Sequence, residues 1–262
     1  MSAATGTGRG LCAYAITRDH SFDTGGMPDP GVHLITHEGL GLVVTEVDLA
    51  PFTELGADAS QWSNEPAEDD PLVVLARRHD AVVRAVFRDR SVLPLRFGTI
   101  VRDRDAAVRL LADRHAPASA CLDRVEGHRE WSVRARRVET TEPENIPADG
   151  LSGTEYLAMR RQRLAKTLGA RRRGAEAAET LHEALSKHAT DSAPRGRRAP
   201  DLLIDAAYLV PEDQESGFHA EAGRLGEEPG VTMVVTGPWP PYSFTQLELP
   251  AEDDRVKAAA DA

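Results

Sequence analysis

Apolar positions along the chain recur with two spacings, and the spacing changes kind at identifiable punctuation. Leu11 to Ile16 is a short apolar run of strand formers, and Val32 to Thr36 is a second, separated from it by a Gly/Pro loop at Gly25 to Gly31. After His37-Glu38-Gly39 the run Leu42 to Val47 follows, so a hairpin is expected with Gly39 at a positive φ. Asp58 to Asp70 is a polar stretch, and Asp70-Pro71 is a helix start, because Pro fits a first turn that needs no N–H. Leu72, Leu75, Ala76, His79, Val82, Val83, Val86 and Phe87 then recur every three or four residues, an amphipathic helix ending near Asp89. Ser91 to Leu95 and Phe97 to Val101 read as short extended pieces, and Asp103 or Asp105 starts a helix carrying Ala107, Leu110 and Leu111.

The second half repeats the kind of pattern without repeating the sequence. Trp131, Val133 and Ala135 alternate with Ser132, Arg134 and Arg136, a strand with one wet face. An acidic, Pro-containing linker, Glu139 to Gly150, leads to Ser152 and Glu155, spaced as a capping box. The long helix that follows, 152–189, carries a narrow apolar seam of Leu157, Leu164, Leu168, Ala175, Ala178, Leu181 and Leu185. Gly169 and Gly174 weaken its middle and are expected to bend or break it. Asp191 to Pro200, with Arg195, Arg197 and Arg198, reads as a mobile loop; Leu202 to Val210 is a strand, Glu212 to Leu225 a helix, and Val231 to Thr236 a strand. The expected class is α+β: an N-terminal α/β domain over 1–125, a C-terminal α/β domain over 126–244 containing the long helix, and an acidic tail over 245–262. Both halves read as helices on one face of a mainly antiparallel sheet.

Composition narrows the function classes. With 41% hydrophobic and 28% charged residues the chain is globular, and aromatic residues, at 5%, are too few for base-stacking platforms. The net charge of −11 is zoned, with acidic ends flanking basic middles. That zoning suits protein partners, or the chain's own domains, better than nucleic acid, with unrelated solvated faces as the bland alternative. No apolar run approaches the ~20 residues of a membrane helix, and the start lacks a basic-then-apolar leader, so a cytosolic protein is expected. Cys12 and Cys121 stand far apart and imply neither a disulfide framework nor a metal site.

No catalytic constellation emerges, and neither a metal nor a cofactor is expected. His182 and His188 are six residues apart, a rotation of ~240° on a helix, so they point apart and are expected to face solvent. His79-Asp80 resembles part of a metal-dependent phosphohydrolase site but lacks the further ligands, and His79 falls on the apolar stripe as a packing residue. Thr5 to Gly10 is glycine-rich but precedes a strand, where it cannot cradle a pyrophosphate. Two surfaces remain. Arg160, Arg161, Arg163, Lys166 and Arg171 to Arg173 form a basic helix that would dock an acidic partner or RNA, or pair with the chain's own acidic ends. Gly237-Pro238-Trp239-Pro240-Pro241-Tyr242-Ser243-Phe244 is a stiff corner whose prolines preset the backbone, so Trp239, Tyr242 and Phe244 are ordered at low entropy cost. It either binds a partner or closes the sheet's own core.

Several of these segments together resemble the gas vesicle protein L/F family (GvpL/GvpF). They are Tyr14 to Ile16, Gly41 to Val47, His79 to Val86 running into Val92 to Thr99, Glu130-Trp131, Gly153 to Leu157, Tyr208 to Val210 and Gly237 to Phe244. Pro94 to Thr99 and Gly237 to Phe244 are the specific strings; Asp80 stands where the family pattern has Glu. The resemblance implies two ferredoxin-like α/β domains joined by a helical region, and no reaction or cofactor. It implies an accessory or minor structural protein of gas vesicles that contacts the small hydrophobic shell protein and other accessory proteins, limiting aggregation during nucleation. Trp239, Tyr242 and Phe244 are the expected partner-binding residues, with Arg160, Arg161 and Arg163 as a second contact. The alternative is a regulatory protein holding a small molecule on ferredoxin-like domains.

Overall fold

The computed structural model describes residues 8–19, 26–49, 70–138, 152–196, 199, 201–245 and 247. The polar stretch before Asp70, the linker 139–150, Arg197 and Arg198, and nearly all of the tail lie outside them. Two compact units emerge: one holds the described residues up to Gly127 and from Trp239 on, the other His128–Pro238.

In the first unit, β1 (Arg9–Arg18), β2 (His33–His37) and β3 (Leu40–Asp48) precede helix α1 (Pro71–Phe87). β4 (Val92–Pro94), β5 (Ile100–Val101), α2 (Arg104–Asp113) and α3 (His115–Val125) follow. The strands order as β2-β3-β1-β4, with β5 also paired to β1, and every pairing is antiparallel. The β2–β3 hairpin closes on Glu38 and Gly39, whose φ values of 46° and 85° are both positive, as a two-residue turn matching strand twist requires. Only Gly39 was legible as such a position.

β1 is buried along nearly its whole length because both faces of this sheet are covered. Leu11, Ala13 and Ile16 pack with α2 and α3 through Ala107, Leu111 and Leu122, whereas Cys12, Tyr14 and Ala15 pack with Val82, Val83 and Val86 of α1. The expectation of helices on one face is thereby corrected for this unit. The parity change between Tyr14 and Ala15 has a local cause. Ala13 pairs with Val44 and Ala15 with Val43, so Tyr14 is an extra residue, a bulge that turns two successive side chains toward α1. α3 was not foreseen; Pro117 sits in its first turn, where a missing N–H costs nothing.

The second unit runs β6 (His128–Arg137), α4 (Gly153–Ser186), β7 (Asp191–Pro194), β8 (Leu202–Pro211), a 3₁₀ turn at Glu212–Gln214, α5 (Glu215–Gly226) and β9 (Val231–Trp239). Its strand order, β7-β8-β6-β9, in a β-α-β-β-α-β chain is the ferredoxin-like arrangement. The first unit shares the order, and among the described residues no helix stands between β1 and β2. The core joins Val133 and Ala135 of β6 and Ile204, Ala206, Tyr208 and Val210 of β8 to Leu181 and Leu185 of α4 and Phe218 and Leu225 of α5. Asp191–Pro194 is strand rather than mobile loop, because it pairs along β8 from Leu209 to Ala206. α4 continues through Gly169 and Gly174 without a break.

Candidate functional site

Gly237 opens the aromatic corner with φ of 147°, and a Cβ there would lie 2.8 Å from Trp131 Cε3 and 2.9 Å from the Glu130 carbonyl oxygen. Only glycine permits so close an approach to β6. The Gly237–Pro238 peptide is cis. Beyond it the chain turns tightly: Tyr242 N donates to Pro240 O at 2.7 Å, and Phe244 N and Thr245 Oγ1 donate to Pro241 O at 3.1 and 2.7 Å. Phe244 is buried, with 6% of its surface exposed. Trp239 is half-buried and Tyr242 exposed.

Both of these outer aromatics meet the same stretch of α1. Arg84 Cζ lies 4.1 Å from the centroid of the Trp239 ring, a cation–π contact. Arg84 Nε donates to Asp80 Oδ2 at 2.6 Å, and the Tyr242 hydroxyl donates to Asp80 Oδ1 at 3.0 Å. Asp80 is therefore the hub of the corner. The Asp80–Arg84 pair was legible from i,i+4 spacing; its two aromatic partners, more than a hundred residues on, left no local signal.

The residue before Asp80 on α1, His79, holds the other specific string. His79 Nε2 donates to the Leu95 carbonyl at 3.1 Å, and its ring packs 5.2 Å from Tyr14 and 5.7 Å from Phe97. A carbonyl can only accept, so Nε2 carries the proton; buried Nδ1 has no partner among the described residues. Burial holds the imidazole below its usual range, against the opposing effects of the Leu95 bond and Asp80. Leu95 N donates to the bulged Tyr14 carbonyl at 2.9 Å, and Ala13 N to Thr99 O at 2.9 Å. The Pro94 to Thr99 string is thus a loop, turning at Gly98 with φ of 80°, that lets β4 and β5 both pair with β1. Cys12 beside it is buried, and desolvation pushes its thiol up to about 11, far from nucleophilic.

The second surface is α4. Ser152 caps it and Glu155 reaches back to the Ser152 hydroxyl and amide, bonds that hold the carboxyl below the usual carboxylate range. Only Leu181 and Leu185 of this helix are buried. Tyr156, Leu157, Leu164 and Leu168 keep 44%, 59%, 60% and 55% of their surface exposed. Arg160, Arg161 and Arg163 are exposed as well, and no carboxylate pairs with them among the described residues; Arg172 pairs with Glu176 at 3.5 Å. The seam foreseen as one continuous stripe is divided, with its last turns packing on β8 and α5 and its first turns facing solvent.

The remaining candidates are engaged structurally. His182 Nδ1 is 2.8 Å from the hydroxyl of buried Tyr208, and His188 packs against Gly217, so both are half-buried rather than solvent-facing. Among the described residues no three His, Cys, Asp or Glu side chains are grouped to hold a metal ion, and no helix is long and apolar enough to cross a membrane.

The family model described as gas vesicle synthesis protein GvpL/GvpF matches residues 10–246. Gas vesicle protein L of Streptomyces sp. (strain CB03234) is 34% identical over 92% of this chain and 93% of its own length. Gas vesicle protein F of the same strain is 31% identical over 73% of this chain and 85% of its own. In fold, the chain is similar to the crystal structure of GvpF from Anabaena sp. PCC7120, with a TM-score of 0.66 at 20% identity over 92% of this chain and 97% of that one. GvpF from Microcystis aeruginosa gives 0.62 at 18% identity over 91% and 99%.

Proposed function

This chain belongs to the gas vesicle protein GvpL/GvpF family, and we propose that it serves vesicle formation as a non-enzymatic assembly factor. In that role it binds the small hydrophobic shell protein and other vesicle proteins in the cytoplasm and limits their aggregation while the shell nucleates. The family match across residues 10–246 carries this reading. The exposed first turns of α4 support it, since they offer leucines beside arginines to a partner instead of to the chain's own core. Trp239 and Tyr242 form the second contact, held in place from α1. Buried Phe244 acts there as the wedge that shapes the corner, not as a touching residue.

Deleting the gene from a vesicle-forming host and complementing it tests the role. Electron microscopy is expected to find vesicles lost on deletion and restored by the wild-type chain, with Arg160→Glu/Arg161→Glu/Arg163→Glu restoring few. Shell protein should co-purify with wild type and drop with that variant. Normal vesicles in the deletion strain would overturn the reading.

A further inference from the structure

We infer that the exposed first turns of α4 form a seam built to pair with an acidic amphipathic helix of another protein. The inference rests on the reading of α4 as a partner-binding surface and names the chemistry of what it takes. Leu157, Leu164, Leu168 and Ala175 are spaced seven, four and seven residues apart, and at about 100° per residue they fall within a stripe about 40° wide. Those steps keep to one face of a straight helix, 3.6 residues per turn, and the three leucines are more than half exposed.

The charge around the seam selects the occupant. By the same geometry Arg160 and Arg171 stand about 40–60° to one side of Leu157 and Arg161 and Arg172 about 40–60° to the other. Both flanks are thus cationic. Arg160 and Arg161 have no carboxylate partner among the described residues. A second copy of this helix, parallel or antiparallel, would set arginine against arginine across the seam, so self-pairing is disfavoured. A helix with leucines every three or four residues and Asp or Glu at the flanking positions satisfies seam and flanks together. A lipid surface fits less well. The apolar stripe is narrow for interfacial insertion, carries no Trp or Phe, and is backed by Arg163 and Lys166 on the other faces of the helix.

The test uses the full-length protein and a fluorescein-labelled synthetic peptide of about four heptads, leucine at the seam positions and glutamate on both flanks. Fluorescence anisotropy is expected to show saturable binding, at least roughly tenfold weaker for Leu164→Ser/Leu168→Ser and for Arg160→Glu/Arg161→Glu. All these side chains are exposed, and circular dichroism checks that the variants keep their fold. The discriminating arm is a peptide with lysine on the flanks: it should fail on wild type and gain binding on Arg160→Glu/Arg161→Glu. Equal binding of the two peptides to wild type overturns the inference, as does binding to phosphatidylcholine–phosphatidylserine vesicles with none to the glutamate peptide. If the glutamate peptide never binds while Arg160→Glu/Arg161→Glu/Arg163→Glu still lowers co-purification of shell protein, the inference falls and α4 remains a partner surface.

Discussion

The Tyr242 hydroxyl donates to Asp80 Oδ1 at 3.0 Å, joining residues 162 positions apart and fixing the aromatic corner to α1. The same carboxylate takes Arg84, whose guanidinium covers Trp239, so four side chains form one linked patch.

Because the patch is partly solvated, its bonds are individually modest. Tyr242→Phe should cost at most about 1 kcal/mol, whereas Asp80→Ala, which also releases Arg84 from its position over Trp239, should cost about 1–2 kcal/mol. A double-mutant cycle on these two residues, read by denaturant unfolding, should return a coupling above about 0.5 kcal/mol. Additive costs would show that the two side chains do not interact in solution.

Phe244 stands apart from its neighbours in the string. The residue is only 6% exposed, so Phe244→Ala should cost about 3–5 kcal/mol, and Phe244→Leu under about 1.5. Tyr242→Ala, at a residue 38% exposed, should stay near the Tyr242→Phe value. Thermal midpoints of the three variants check the order.

Gly237→Ala should be costlier than its single methyl suggests. At φ of 147° the new Cβ meets the Trp131 ring at 2.8 Å and the Glu130 carbonyl at 2.9 Å, the latter a backbone atom with little room to yield. A loss of about 1–3 kcal/mol from backbone strain is expected before the clash is added. Tryptophan fluorescence should report the displaced Trp131 ring.

Stability should fall on mild acidification through His79. Its folded-state pKa is lowered by burial, below an unfolded value near ~6.5, so between the two values the unfolded chain binds a proton that the folded chain does not. The neutral-state stability is full above the unfolded pKa and declines as pH drops through it toward the folded one. The groups facing the ring are Tyr14, Phe97, the Leu95 carbonyl and Asp80. His79→Gln, which retains a donor for Leu95, should flatten the denaturation midpoint between pH ~7.5 and ~5.5 relative to wild type. An unchanged slope would assign the acid sensitivity to other histidines.

Much of the architecture was legible because it follows from local rules. Period-two runs, helical stripes, the Ser152–Glu155 cap and Pro71 at a helix start each depend on residues a few positions apart. What escaped depends on distant strands. Asp191–Pro194 is short and polar, so only its pairing with β8 makes it a strand. Tyr14 looks like any strand residue until β3 fixes a register that leaves it over.

The candidate surfaces divide along the same line. Local chemistry in the sequence dictates that Gly237 to Phe244 is a stiff aromatic corner, since each proline fixes its own φ and limits the residue before it. It also determined that α4 would carry leucines and arginines in register, because helical periodicity needs no neighbour. Tertiary packing settles that Phe244 is packed away while Trp239 and Tyr242 answer to Arg84 and Asp80. It likewise decided that β8 and α5 cover the seam of α4 at Leu181 and Leu185 and leave Leu157, Leu164 and Leu168 open. Burial is a property of what else reaches a side chain, and that is set by contacts between segments far apart in the chain.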